Sequence, residues 1–272
     1  MKRFALGAIG VVVAAGVTVA ALAAEHRQGY LTPGEFDVTT VLEPAPRPGD
    51  PRYETDRAIF RATRVLKDTP RWQMATDDAQ TSVKYLLKDY SCAVGVQLTP
   101  ENAPALVKVV MHAGSDTGRE THGAKEHYKR QRPFVIDHGP ICQPESALYD
   151  EQAGRMSYDY PSGHTTWGWT WALILTAIAP DRAQQILERG RAYGDSRFIC
   201  GAHNESAVEA GFQSASATMA LVSTKPAYRA DLAAAKAELD RLRSGGAPKA
   251  QGCAAEADLI AQRVMPKLPE AR

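Results

Sequence analysis

Three segments of the chain concentrate residue types that grip and transfer anionic groups. The first is KEHYKRQRP, Lys125 to Pro133. Lys125 and Arg132 stand seven apart, a spacing that predicts one helical face about two turns long. Pro133 disfavours the α conformation at Arg132, so the helix is expected to end there. Read alone, the segment fits a solvated basic face better than a ligand site, since Lys129 and Arg130 share it. The second is YPSGHTTWGW, residues 160–169, where Pro161-Ser162-Gly163 is turn chemistry running into a Trp-rich helix. Unpaired amides and the dipole favour an anion at such a helix start, and Gly163 lets a ligand approach the main chain. His164 shares a face with Trp167 and Trp171 and is expected to point inward, as a general acid or as a core histidine held by a backbone carbonyl. The third is SRFICGAHNESAVEAG, residues 196–211, which sets Arg197 six residues before His203 with a break at Gly201-Ala202 and a new helix beginning near His203.

Together these segments supply three cations (Lys125, Arg132 and Arg197), a Ser hydroxyl at a helix start and two histidines. Guanidinium forks match phosphate oxygens, and one imidazole can attack phosphorus while the other protonates the leaving oxygen. The chemistry indicated is phosphoryl transfer. No carboxylate cluster and no His-x-x-x-His pair suggests a metal; His122, His127 and His138 are scattered and read as surface or supporting residues.

The elements that must position these groups read as helices. Ile59, Phe60, Thr63 and Leu66 recur at helical spacing, Pro70 is placed to open a short helix, and Leu106, Val109, Val110 and Ala113 form the next stripe. Trp167, Trp171, Ile174, Leu175 and Ile178 make the strongest one. Ile186, Leu187 and Tyr193 mark a further helix, residues 203–222 are Ala/Ser/Val-rich, and Tyr228, Leu232, Ala235, Leu239 and Leu242 lead to a stop at Gly245-Gly246. Period-2 strands, repeats and linkers are hard to find, so the expectation is one all-α domain. Residues 1–24 read as a signal peptide: Lys2 and Arg3, an apolar run from Phe4 to Val19, and an Ala21-Leu22-Ala23 cleavage site. Its removal takes the formal charge from +1 to −1, which gives no sign of a nucleic-acid partner. Residues 25–52, rich in proline, are expected to form an extended arm. Four cysteines (Cys92, Cys142, Cys200 and Cys253) in an exported chain suggest two disulfides, and spacing leaves all three pairings open.

Lys125-x6-Arg132-Pro133, Pro161-Ser162-Gly163-His164 and Ser196-Arg197-x5-His203 together resemble the three-part signature of the PAP2 phosphatase and vanadium haloperoxidase superfamily. The Pro-rich arm, DRAIFRATR, TPRWQMATDDA and LTPENAPAL look like its bacterial class A non-specific acid phosphatases. The resemblance implies a helical bundle over residues 53–272, the phosphatase domain, acting as a periplasmic or secreted acid phosphatase on small phosphomonoesters. It implies His203 as nucleophile through a phosphohistidine, His164 as acid and then base, and Lys125, Arg132, Arg197, Ser162 and the Gly163 amide as phosphate ligands. It implies no metal or cofactor, vanadate as an inhibitor, no membrane contact once the signal is cut, and a Cys142–Cys200 pair, leaving Cys92 with Cys253. A homo-oligomer stays open. The family pattern continues His-x3-Asp, whereas Ala207 stands here. Read as a helical i+4 neighbour, an Asp there would orient His203; its absence implies reduced activity, with Ser206, a backbone carbonyl or water as weak substitutes. The alternatives are a vanadate-dependent haloperoxidase and a catalytically impaired phosphate-binding protein.

Overall fold

The computed structural model describes residues 28–267. The signal-peptide reading, the first residues of the arm and the last five of the chain lie outside them. Within them the protein is all-α. The helices in chain order are α1 (Pro51–Thr63), α2 (Pro70–Asp77), α3 (Val83–Val94), α4 (Pro104–Tyr128), α5 (Pro133–Asp137), α6 (Gly163–Ile178), α7 (Ala183–Cys200), α8 (Glu205–Val222), α9 (Pro226–Arg241) and α10 (Cys253–Ile260). One two-residue hairpin, β1 (Tyr149–Asp150) against β2 (Arg155–Met156), interrupts them.

Helix α6 is the hub: it packs on α4, α7 and α8, and α9 closes over α4. The sequence explains why. The face of Trp171, Ile174, Leu175 and Ile178 is buried against Leu106, Val109, Val110 and Ala113 of α4 in one apolar cluster. A second cluster under α1, α2 and α7, with Ile59, Phe60, Trp72, Phe198 and Ile199, backs the end of α7 that carries Arg197. The start expected at Pro70 is visible as a cap, Thr69 accepting from the Trp72 amide. The arm expected over residues 25–52 ends earlier than read, because Asp50 accepts from the Arg52 amide and α1 opens at Pro51.

Residues 28–50 cross the bundle without forming an α-helix. Two buried carboxylates one turn apart on α4 hold them: Asp116 accepts from the amides of Tyr30 (2.6 Å) and Leu31 (3.2 Å), and Glu120 from that of Val38 (3.2 Å). The cysteines pair as Cys92–Cys253 and Cys142–Cys200. The second bond fastens the loop after α5 to the last residue of α7.

Two sequence expectations need correction. Lys125 and Arg132 do not share a helix: α4 ends at Tyr128, Lys129 turns left-handed (φ 52°), and Arg132 is extended (ψ 152°) ahead of Pro133. Nor does His203 begin a helix. Gly201 (φ 80°) caps α7, and α8 starts at Glu205 with Asn204 as its N-cap, so His203 lies in the connection. The i+4 argument for position 207 therefore loses its geometric basis.

Candidate active site

Each phosphate-binding candidate is delivered by a helix end or by a loop beside one. Lys125 sits in the last turn of α4, where its Nζ donates to the Tyr158 carbonyl. Arg132 leaves the loop that follows and is fixed on three sides. It donates through Nε to the Ser157 carbonyl (2.7 Å), through Nη2 to the Ser157 hydroxyl (2.8 Å) and through Nη1 to the Ala202 carbonyl (2.7 Å). The same Nη1 lies 3.0 Å from His203 Nε2.

Ser162 caps α6, its hydroxyl accepting from the Thr165 amide (3.3 Å) and the Thr165 hydroxyl (3.0 Å). Its own amide donates to the Ala207 carbonyl (2.8 Å), which ties this turn to α8. Gly211 permits that approach, because a Cβ there would lie 2.8 Å from the Ser162 carbonyl oxygen. Gly163 follows as the first residue of α6, beside Lys125. His164 bonds the Ala79 carbonyl through Nε2 (3.1 Å), and its ring centre lies 6.4 Å from that of His203. A backbone carbonyl thus fixes the ring beside that of His203.

Arg197 is wholly buried, and among the described residues only Nη2 has a partner, the Gln143 side-chain carbonyl. Its Nε and Nη1 are buried with none. A buried guanidinium with two donors unspent is costly unless an anion completes it. An oxyanion beside His203 fits that requirement. A cleft of about 300 Å³ lined by Thr121, His122, Lys125, Gly163 and Trp167 opens next to Lys125 and the start of α6.

The electrostatics follow from concentrating cations around the buried His203. Burial, with Arg132, Lys125 and Arg197 adding to it, holds His203 well below the ordinary imidazole value. Burial and the charges of Arg197 and His203 do the same for His164. Burial, with Arg132 beside it, brings Lys125 down to about 7. Both imidazoles are therefore neutral at pH 7, and Lys125 loses its charge as the pH rises past that point. The kcat/KM profile should peak on the acid side, since His164 carries a proton only there and the Lys125 grip fails above 7. Lys125→Arg should lift the alkaline limb by keeping its charge. An optimum above pH 7, or an alkaline limb that Lys125→Arg leaves in place, would contradict this.

Lys125, Arg132, Ser162, Gly163, His164, Arg197 and His203 lie at the ends of α4, α6 and α7 and in the loops beside them. Arg130, which the sequence places on a solvated face, is buried and donates to Asp56 (2.6 Å) and to Ser206 (2.7 Å). His122, His127 and His138 are exposed. Two residues were missed. Gln143 holds Arg197. Asp159, fully buried, accepts from His203 Nδ1 with its carbonyl (2.8 Å) and with its carboxylate Oδ1 (3.1 Å). The backbone carbonyl named as a substitute is thus present, Ser206 is engaged by Asp56 instead (2.6 Å), and a carboxylate has been supplied from a place the spacing rule did not search. The available signal was an acidic residue two positions ahead of Pro161.

Comparison with known proteins shows which family the chain is similar to. A model of the PAP2 superfamily matches residues 105–231, which include every candidate from Lys125 to His203. The chain is 39% identical over 208 residues to the acid phosphatase of Zymomonas mobilis, covering 76% of this chain and 77% of that protein. It is 36% identical over 219 residues to the non-specific acid phosphatase of Salmonella typhimurium, covering 80% and 86%. With that of Providencia stuartii the identity is 34% over 209 residues, covering 76% and 83%.

Proposed function

We propose a two-step reaction for this chain, which belongs to the PAP2 superfamily and is an acid phosphatase, a hydrolase of phosphoric monoesters. In the first step His203 Nε2 attacks phosphorus. The N–P bond forms, the ester P–O bond breaks, and His164 gives its proton to the departing alkoxide. In the second, neutral His164 takes a proton from water, the resulting hydroxide attacks phosphorus, the N–P bond breaks, and inorganic phosphate leaves. Arg132, Arg197, Lys125, the Ser162 hydroxyl and the Gly163 amide hold the non-bridging oxygens and take up the charge that builds on them.

One observation carries this reading. His203 is held by Nδ1, so its free lone pair is on Nε2, and that nitrogen meets Arg132 at 3.0 Å with the unspent donors of Arg197 buried in the same cation cluster. The contact of His164 Nε2 with Ala79 likewise leaves Nδ1 to exchange the proton. Lys125, Arg132 and Arg197 supply the positive charge that a metal supplies in other phosphatases. Hydrolysis of a chromogenic aryl phosphate should therefore persist in EDTA and be inhibited by vanadate, whose five-coordinate adduct on His203 imitates the transition state. Loss of activity in EDTA that a divalent metal restores would overturn the reading.

We place the mature enzyme outside the cytoplasm, in the periplasm or secreted. The leader-like first 24 residues, the two disulfides, and the absence, among the described residues, of a helix long and apolar enough to cross a membrane support this.

A further inference from the structure

We propose that Asp159 is the residue that orients His203 and balances the positive charge its ring gains on phosphorylation, the task that position 207 leaves undone in this chain. The proposal rests on the reading of His203 as nucleophile and adds a positioning residue to it.

The carboxylate is placed and held for that task. Oδ1 lies 3.1 Å from His203 Nδ1 and also accepts from the Asn204 amide at 3.1 Å, so two donors on successive residues converge on it. Oδ2 accepts from the Asn204 side-chain amide (2.7 Å) and lies 3.6 Å from Arg130 Nη1. The main chain is fixed as well, the Asp159 amide donating to the Arg130 carbonyl at 2.8 Å. Asp56, which accepts from Arg130 and from the Ser206 amide, forms a further layer that locks Arg130. A carboxylate with this many donors cannot swing away, and the ring it holds cannot flip.

Its placement is also electrically required. The groups facing His203 are Arg132 from the loop after α4, Lys125 from α4, Arg197 from α7 and His164 from α6, and among the described residues Asp159 is the one carboxylate in contact with the ring. Attack through Nε2 leaves the ring formally cationic with its Nδ1 proton in place. Without an adjacent anion, that charge would form among cations in a buried site. Ala207 cannot help: its side chain is buried in an apolar cluster with Val38, Leu42, Ala124, Tyr160 and Ala210.

The test compares wild type, Asp159→Asn, Asp159→Ala and Ala207→Asp in full-length exported protein. The readouts are kcat and KM across pH, affinity for inorganic phosphate, and the rate of phosphoryl-enzyme formation in rapid-quench experiments. Asp159→Asn and Asp159→Ala should each lower kcat and the phosphorylation rate by roughly 10²- to 10³-fold. That is less than the ~10⁴-fold of the protease analogue because the Asp159 carbonyl still accepts from Nδ1. KM and phosphate affinity should change little, which also shows that the variants fold. Loss of the anion lowers the His203 pKa further, so the acid limb of kcat should move to lower pH; a purely structural role would leave that limb in place. Ala207→Asp should bring no gain. The proposal is overturned if Asp159→Asn is phosphorylated on His203 at the wild-type rate, if its acid limb stays put, or if Ala207→Asp alone raises kcat. If the wild type carries no phosphoryl group on His203, the nucleophile assignment falls instead, and the two failures are thereby distinct.

Discussion

His203→Ala should abolish turnover, lowering kcat by on the order of 10⁴- to 10⁶-fold, as removal of a buried nucleophile does in hydrolases that act through a covalent intermediate. The neighbours are committed elsewhere: His164 has its Nε2 on the Ala79 carbonyl and its Nδ1 as the proton carrier of the proposed reaction, and Ser162 caps α6. Phosphate should still bind, because Arg132 keeps its anchors on Ser157 and Ala202 and Arg197 keeps its anchor on Gln143. The contrast between lost turnover and retained affinity separates a nucleophile from a ligand. It is checked by steady-state kinetics beside equilibrium phosphate binding. A variant with a tenth of the wild-type kcat would mean that the attacking atom lies elsewhere.

The second large effect belongs to Arg197. Arg197→Ala should cost about 2–4 kcal/mol in kcat/KM, the range for a preorganised charge stabiliser, or roughly 30- to 1000-fold. The same change removes a buried cation that has two donors without partners, so the melting temperature should hold or rise even as activity falls. Such opposite movement marks a group kept for function at a cost in stability. Arg132→Ala is the less clean experiment, since it also breaks three bonds that pin the loop to Ser157 and Ala202. Thermal melts and kinetics on Arg197→Ala decide the matter; a lower melting temperature with near-wild-type kinetics would assign Arg197 to the scaffold.

The helical plan was legible because burial imposes a period. The faces of α4 and α6 show in the sequence as stripes, and those stripes meet in one apolar cluster. Turn chemistry was legible for a similar reason: Pro70 and Gly201 each sit where only a few conformations are allowed. What spacing could not show is where the chain leaves a helix inside a polar run. The left-handed turn at Lys129 moves Arg132 off the face that a seven-residue interval assigns to it. Nor does spacing show which charged residues end up buried. Arg130 reads as solvated beside Lys129, yet Asp56, 74 positions earlier, takes it into the interior. Asp159 was hidden for the same reason. It meets His203 across 44 residues through a loop, so a rule that looks one helical turn along the chain finds Ala207 and stops. The cysteine pairing shows the complementary case, in which spacing alone allowed three answers and the resemblance chose the one the fold contains.

The most direct test of the mechanism is to mix the enzyme with a chromogenic aryl phosphate at acid pH, quench into alkali, where phosphohistidine survives, and map the modified peptide by mass spectrometry. The expected result is one phosphoryl group on His203, formed in a burst with the released phenol and absent from His203→Ala. A phosphoryl group on any other residue, or turnover with inversion of configuration at phosphorus and no trapped adduct, would contradict it.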